Sequence, residues 1–228
     1  MCVATVLVFS AASTQAQNLL ANPFFEQPIE WTPPTQINGV LSYQNWTGLG
    51  GNGPGLQPIV TDMSGSPDSP PWPGNSALYV PSPSPGDYNP AGAYQVVAPV
   101  GGIIAGATYT YSGYFLTDTG TTLANSVNLE LGFLIAGPGN GFTDVGSDTV
   151  GSFAPVLNSW NQGTVTAVAP AGAEYALVYA LFTDGSQTSL EDVYFDNMSL
   201  TVPEPSSLAL VGMGLAAIPF CFIRRQKS

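Results

Sequence analysis

The chain has 228 residues, of which 15 are acidic, 3 are lysine or arginine and none is histidine, so its formal net charge is −12. The three cations, Arg224, Arg225 and Lys227, lie in the last five residues, which excludes nucleic-acid binding, histidine-dependent catalysis and lysine Schiff-base chemistry from the rest of the chain. Cys2 and Cys221 stand in the two terminal apolar runs, so no disulfide or cysteine-ligated metal site is expected between them.

Residues 1–16 predict an N-terminal signal peptide for secretion. The apolar run MCVATVLVFS is followed by the small-residue stretch AASTQAQ, which suits cleavage near Ala16. A first buried strand is the alternative interpretation of this run. Because the small polar residues after it suit a peptidase better than a hydrophobic core, export is the expectation.

The body of the chain, residues 18–201, predicts β-strands throughout. Apolar and polar side chains alternate, as in half-buried strands, over residues 108–115, 126–135 and 164–169. Residues 175–182 are apolar on both faces, as expected of a central strand. Shorter strands are predicted at residues 76–80, 93–97 and 192–200. This pattern predicts an all-β fold, a sandwich or a jelly roll.

The stretch from residue 48 to residue 90 differs in composition, because ten prolines fall between Pro54 and Pro90. Proline cannot donate a hydrogen bond in a β-ladder, so this stretch predicts a loop with one strand around Leu78. A loop of this length on a rigid sandwich suits a binding surface or a mobile insertion. A linker between two domains is the alternative, which the lack of a preceding core disfavours.

Residues 202–228 predict a C-terminal membrane tail. The segment VPEPSS precedes the apolar run at residues 208–223, which is just short of the ~20 residues that cross a bilayer untilted. The basic end would stay on the cytoplasmic side. A transmembrane helix over residues 208–223 is therefore expected in the precursor.

This tail resembles a PEP-CTERM sorting segment. The match consists of Pro203, Glu204 and Pro205, the apolar span, and the basic end with Arg224 and Arg225, in the same order and spacing. The resemblance implies an exported protein of a Gram-negative bacterium that makes exopolysaccharide. It also implies recognition and processing by exosortase, a membrane protease. An ordinary tail anchor is the alternative.

The body opens with the motif NLLANPFFE at residues 18–26. Further motifs follow at residues 75–78, 94–97 and 106–109, then Trp160, then YFDNMSL at residues 194–200. In this order they resemble galactose-binding-like jelly rolls, among them carbohydrate-binding modules of xylanases and cellulases. The resemblance implies one antiparallel jelly-roll β-sandwich over residues 18–201 whose first and last strands are adjacent. It implies no particular activity, because this fold hosts many ligands.

The same resemblance implies a structural calcium site. In the family, an acidic residue of the opening motif and one of the closing strand share the ion, and the matching positions are Glu26 and Asp196. Carboxylates with backbone carbonyls form the oxygen shell that Ca²⁺ prefers. The family usually has glycine at the position of Pro23. This chain therefore departs from the family at a position where the backbone would ligate the ion. The alternative interpretation is that Glu26 and Asp196 are solvated or cap backbone N–H groups.

Aromatic side chains are the candidates for sugar binding, because a ring stacks on the apolar face of a pyranose. The candidates outside the predicted strands are Trp31, Trp46, Trp72 and Tyr88. Trp46 and Trp160 match positions where the family has core tryptophans, so both are expected in the core. Trp72 and Tyr88 lie among prolines and are the predicted ligand-binding residues, with packing against proline as the alternative.

The acidic residues suggest a further, disfavoured hypothesis. A glycosidase needs only two carboxylates, and Glu30, Glu130, Glu174 and Glu191 could supply partners. No motif pairs them, so the chain is not predicted to be an enzyme. A body without cations repels anionic polysaccharide unless divalent ions bridge the two, so neutral glycans or calcium-mediated contact fit better.

The sequence therefore predicts an exported surface or extracellular-matrix protein with a polysaccharide-binding β-sandwich. Its precursor is expected in the inner membrane and its processed form in the cell envelope or matrix. A structural protein of the biofilm matrix with no specific glycan ligand is the main alternative. The expected partners are exosortase, exopolysaccharide and the membrane, and nucleic acid is excluded.

Overall fold

Antiparallel strands account for almost all regular structure in the computed structural model, which describes residues 16–29, 36–37, 40–41, 45–49, 58–66, 69–81, 90–99, 102–117, 126–154, 156–183 and 192–202. One 3₁₀ turn, Pro138–Asn140, is the only helical element there. No helix in the described part of the chain is long and apolar enough to cross a membrane. The strands are Gln36–Ile37 (β1), Val40–Leu41 (β2), Thr47–Leu49 (β3), Ile59–Asp62 (β4), Ser76–Val80 (β5), Ala91–Val97 (β6), Thr108–Thr117 (β7), Ser126–Ala136 (β8), Phe142–Asp144 (β9), Thr149–Phe153 (β10), Asn161–Val168 (β11), Tyr175–Thr183 (β12) and Val193–Thr201 (β13).

The strands form a two-sheet sandwich with jelly-roll connections. The six-stranded sheet has the order β10-β8-β12-β6-β3, with β9 paired to β8, and the five-stranded sheet has the order β11-β7-β13-β5-β4. Among the described residues, strands β1 and β2 form a separate two-stranded sheet. From β5 onward the chain passes repeatedly between the two sheets, so neighbours within a sheet are distant in sequence. The predicted antiparallel jelly-roll fold is confirmed.

The core lies between the two sheets, and alternate residues of each strand point into it. On β7, Tyr109, Tyr111 and Phe115 are buried, while the intervening threonine and serine side chains are not. Ring contacts join the sheets, with centroid distances of 5.6 Å between Tyr109 and Phe133 and 5.9 Å between Phe115 and Phe153. Strand β12 lies between β8 and β6 with both faces largely buried, as its apolar sequence predicts.

The first described residues run beside the last strand. The Leu19 N–H donates to the Leu200 carbonyl at 2.8 Å, and the Met198 N–H donates to the Pro23 carbonyl at 2.8 Å. The side chain of Asn18 also bridges to β13, because its amide donates to the Met198 carbonyl and its oxygen accepts from the Leu200 N–H. These bonds make the two ends of the compact unit Asn18–Thr201 adjacent.

The opening motif turns sharply and places one aromatic ring in the core. Asn22 and Phe25 have positive φ angles of 46° and 49°. Phe25 is fully buried against Trp46, with ring centroids 5.1 Å apart, and the Trp46 indole N–H donates to the Asn22 carbonyl. The expected core position of Trp46 is confirmed, because the side chain has no exposed surface.

The proline-rich stretch contains more strand than its composition predicts. Beside the expected strand around Leu78, residues Ile59–Asp62 form β4, which pairs antiparallel with β5. Strand β4 is the outer strand of its sheet and directly follows Pro58. A proline is tolerated at such a position because an edge strand leaves one side of its backbone unpaired. The prediction of a single strand here was therefore wrong.

Candidate functional site

A row of four side chains crosses the outward face of the six-stranded sheet. Glu130 is the direct cross-strand partner of Tyr179, Tyr179 of Tyr94, and Tyr94 of Thr47. Direct partners in antiparallel strands point to the same face. Their neighbours Leu131, Val178 and Ala93 fill the core side instead. The register alone therefore gathers a carboxylate and two phenol rings, all partly exposed, on one face of the sheet, next to the buried hydroxyl of Thr47.

The two tyrosines of this row form a half-buried aromatic pair. The ring centroids of Tyr94 and Tyr179 are 5.5 Å apart, with the ring planes tilted by 38°. Burial raises the pKa of Tyr94, although its contact with the Thr47 hydroxyl acts in the opposite direction. Burial, together with the charge of Asp148 and weaker interactions with its other neighbours, raises the pKa of Tyr179 to about 12. Both phenols are thus neutral donors at physiological pH.

Carboxylates flank the aromatic pair. Burial and the neighbouring charge of Asp148 raise the pKa of Glu130, and burial and the charge of Asp144 raise that of Asp148. Asp148 reaches over the sheet because Gly132 has no side chain, and a Cβ there would collide with the Asp148 carboxylate. Nearby on the same face, the Asn128 amide donates to the Thr183 hydroxyl at 3.1 Å. The face offers rings and hydrogen-bonding groups but no positive charge.

The predicted ligand residue Trp72 lies against the opposite sheet. Its ring packs on Tyr114, with centroids 4.5 Å apart, and meets Trp160 edge-on at 5.2 Å. Its indole N–H donates to the Asp196 carboxylate. Tyr114 and Asp196 are cross-strand partners on the outward face of the five-stranded sheet, so Trp72 covers Asp196 from the solvent side. Asp196 consequently has no exposed surface.

The burial of Asp196 beneath Trp72 shifts the pKa of its carboxyl group. Burial raises its pKa to about 7, and the charge of Glu26 acts in the same direction. The hydrogen bonds from Trp72 and from the Asn197 N–H oppose the rise. Glu26 and Asp196 are therefore close enough to interact, as the calcium prediction requires.

The surroundings of Glu26 and Asp196 do not fit a Ca²⁺ ligand shell. Both Asp196 oxygens accept N–H groups, from Trp72 and Asn197. Glu26 accepts the N–H groups of Asn75 and Ser76 at 3.1 and 3.3 Å. No three acidic, cysteine or histidine side chains in the described ranges could hold a metal ion together. A calcium shell needs six to eight oxygens, whereas here the partners are donors, so calcium binding stays a prediction without structural support.

The remaining predicted residues have varied positions. Trp160 is half-buried beside Trp72 on the outward face, so its predicted place in the core was wrong. Glu174 accepts the Ala136 N–H at 3.0 Å. The following predicted residues lie outside the described part of the chain: Glu30, Trp31, Tyr88, Glu191, Pro203, Glu204, Pro205, Arg224 and Arg225.

Sequence reasoning missed Tyr94, Tyr179 and Asp148 as members of one site. The alternating pattern could assign Glu130 to a face of its strand, but the partner strand and register depend on residues far away in sequence. One usable signal was present. Tyr175 and Tyr179 point to one face of β12, because they are four residues apart in a strand of period two.

Comparisons with known proteins bear on the tail and on the fold. Residues 201–225 match the family model of the PEP-CTERM protein-sorting motif. The chain therefore carries a sorting motif. This motif indicates an exported protein with a membrane-anchored precursor. Among curated proteins, no sequence matches the chain.

Solved structures share the fold. The enzymatically active domain of tailspike protein 4 from bacteriophage CBA120 is similar with a TM-score of 0.54 and 15% identity, over 82% of this chain and 21% of that one. A protein from Bacteroides thetaiotaomicron named for sugar binding has a TM-score of 0.52 and 11% identity, over 82% and 100%. The CBM22-1 xylan-binding domain of Paenibacillus barcinonensis Xyn10C has a TM-score of 0.45 and 13% identity, over 86% and 100%.

Proposed function

We propose that this protein is an exported, non-catalytic carbohydrate-binding protein and that its six-stranded sheet binds a neutral polysaccharide. The observation that carries the proposal is the row of Glu130, Tyr179 and Tyr94, which are partly exposed, beside the buried Thr47. Tyrosine rings supply an apolar surface for a pyranose, while phenol, carboxylate and amide groups bond its hydroxyls. The Bacteroides thetaiotaomicron protein named for sugar binding has a similar fold, and the match covers all of that protein. This similarity supports the same class of ligand.

Charge restricts the ligand class. No lysine, arginine or histidine occurs before Arg224, and Glu130, Asp144 and Asp148 lie on or beside the proposed site. An acidic polysaccharide would meet uncompensated negative charge, whereas a neutral glycan would not. The sorting motif adds a place of action. After exosortase processing near Pro203, the domain would act in the cell envelope or the extracellular matrix, on glycans found there.

Binding to neutral polysaccharides tests the proposal. Affinity electrophoresis of the purified full chain through gels containing galactan, mixed-linkage β-glucan or galactomannan should show retardation by at least one of them. Tyr94→Ala and Tyr179→Ala should each weaken retardation about tenfold, which corresponds to about 1.4 kcal/mol of binding free energy. Thr143→Ala is the control, since Thr143 is an exposed side chain on β9 whose direct partner Ile135 points away from the face of Tyr94 and Tyr179, and it should leave retardation unchanged.

Two outcomes would contradict the proposal. If the folded protein is retained by no glycan, the structural matrix protein without a specific ligand becomes the better description. If reducing ends are released, the flanking acids Glu130 and Asp148 form a glycosidase pair, because a raised carboxyl pKa suits a general acid. Glu130→Gln would then abolish hydrolysis, whereas in a binding site it should change only the affinity.

A further inference from the structure

The outward face of the five-stranded sheet carries a regular array of hydroxyl groups. In one cross-strand row Thr164, Ser112 and Ser199 are partners, and in the next row the partners are Thr166, Thr110 and Thr201. The β11 threonines are exposed and the other four side chains are partly exposed. Neighbouring strands are about 4.8 Å apart and same-face residues along a strand about 6.8 Å apart. Six hydroxyls therefore form a lattice over three strands.

An aromatic patch continues this array. The next row along the same face contains Gln162, Tyr114 and Asp196, and the rings of Trp72 and Trp160 pack beside Tyr114. Asp196 is sealed beneath Trp72 and takes no part in the surface. What solvent meets is therefore ring surface, the exposed Gln162 amide and hydroxyls. No ionised group of these three rows faces the solvent.

The chemistry of this face matches a neutral glycan. Hydroxyl and amide groups both donate and accept, as sugar hydroxyls do, and the adjoining rings can cover the apolar side of a pyranose. An apolar protein partner would find too little hydrophobic surface among the threonines, and a charged partner would find no opposite charge. The occupant that fits is an uncharged polysaccharide chain.

We propose that this face is a second glycan-binding surface and that the protein cross-links two polysaccharide chains. The proposal rests on the function proposed above for the six-stranded sheet. The two faces are the opposite outer sides of one sandwich, whose sheets pack about 10 Å apart, so a single straight chain cannot occupy both. A protein bound on both sides joins two chains, and multivalent attachment strengthens retention in a matrix without any new contact.

Cross-linking and simple binding can be measured separately on the purified full chain in mild detergent. Retention in gels of galactan, mixed-linkage β-glucan or galactomannan reports binding, and light scattering of the dissolved polysaccharide reports cross-linking. The double variant Thr164→Val/Thr166→Val removes two exposed hydroxyls and keeps the β-branched shape. Trp160→Ala removes the outer ring of the patch. Thr143→Val is the matched control, an exposed threonine on β9 outside both faces.

We expect the wild-type protein and the control to raise scattering, with two polysaccharide sites per protein by calorimetry. The double variant and Trp160→Ala should lower scattering at least fivefold while the protein stays retained in the gel and binds with one site. Unchanged scattering by both variants would overturn the second surface. Self-association of the wild-type protein without glycan, measured by sedimentation and lost in the variants, would also overturn it, because the face would then be a protein interface. If the wild-type protein is retained in no gel, the function proposed above fails first.

Discussion

On the six-stranded sheet Glu130 lies beside Tyr179 with its side chain partly exposed, whereas on the five-stranded sheet Asp196 lies beneath Trp72 with no exposed surface. Each face thus combines a carboxylate with aromatic rings. On the first face the rings lie beside the acid and leave it partly exposed to solvent. On the second a ring covers the acid and uses its own N–H to satisfy it. The same residue types therefore leave a carboxylate partly open to solvent on one face and stabilise a sealed one on the other.

The largest expected difference between the faces concerns stability. Trp72→Ala should lower the free energy of unfolding by about 3 kcal/mol, because it removes a ring packed on Tyr114 and Trp160 together with its hydrogen bond to Asp196. Tyr179→Ala on the other face should cost only about 1 kcal/mol, since its ring is half-exposed. Urea denaturation followed by tryptophan fluorescence measures both. Equal losses would show that the two faces do not differ in this way.

The pH dependence of stability gives a second way to break the comparison. Asp196 has a pKa near 7 in the folded protein and an ordinary value of 3.8 in the unfolded chain. Between these values the folded state binds more protons, so its stability decreases as the pH rises, by roughly 2 kcal/mol from pH 5 to pH 7. Melting curves across this range should therefore show a lower melting temperature at the higher pH.

Asp196→Asn is the variant that isolates this effect. The asparagine keeps the shape and an oxygen for the Trp72 N–H but cannot ionise, so the slope between pH 5 and pH 7 should flatten. The raised pKa values of Glu130 and Asp148 act in the same direction in both proteins and cancel in the difference. An identical slope in the wild-type protein and the variant would place the titration elsewhere.

A smaller effect should separate the ring from the hydroxyl within the six-stranded face. Tyr94→Phe keeps the ring beside Tyr179 and removes only the group next to Thr47, so polysaccharide affinity should fall no more than about threefold, or roughly 0.7 kcal/mol. The alanine substitution at the same position removes the ring as well and should cost about tenfold. If phenylalanine and alanine were equally weak, hydrogen bonding by the phenol and not stacking would dominate the site.

Local pattern was sufficient for the long strands of the sandwich, but not for β4 or for the faces that the strands form. The alternation at residues 126–135 and the apolar run at residues 175–182 predicted β8 and β12, because each depends only on period-two burial within one strand. The pairing of Tyr94 with Tyr179 depends on the register between β6 and β12, which are far apart in sequence. Trp72 shows the same limit, since its proline-rich surroundings carry no sign that the segment folds back onto β7 and β13.

The last prediction concerns calcium, where the expected effect is none. A Ca²⁺ ion at 100 times its dissociation constant would stabilise the fold by about 2.7 kcal/mol. Asp196 and Glu26 already accept N–H groups, and a ligating oxygen at Asp196 would have to give up the Trp72 bond. We therefore expect the same melting temperature in 5 mM EDTA and in 5 mM CaCl₂. A higher melting temperature in calcium that both Glu26→Gln and Asp196→Asn abolish would contradict this expectation, and the sealed carboxylate of this face would then be a metal ligand.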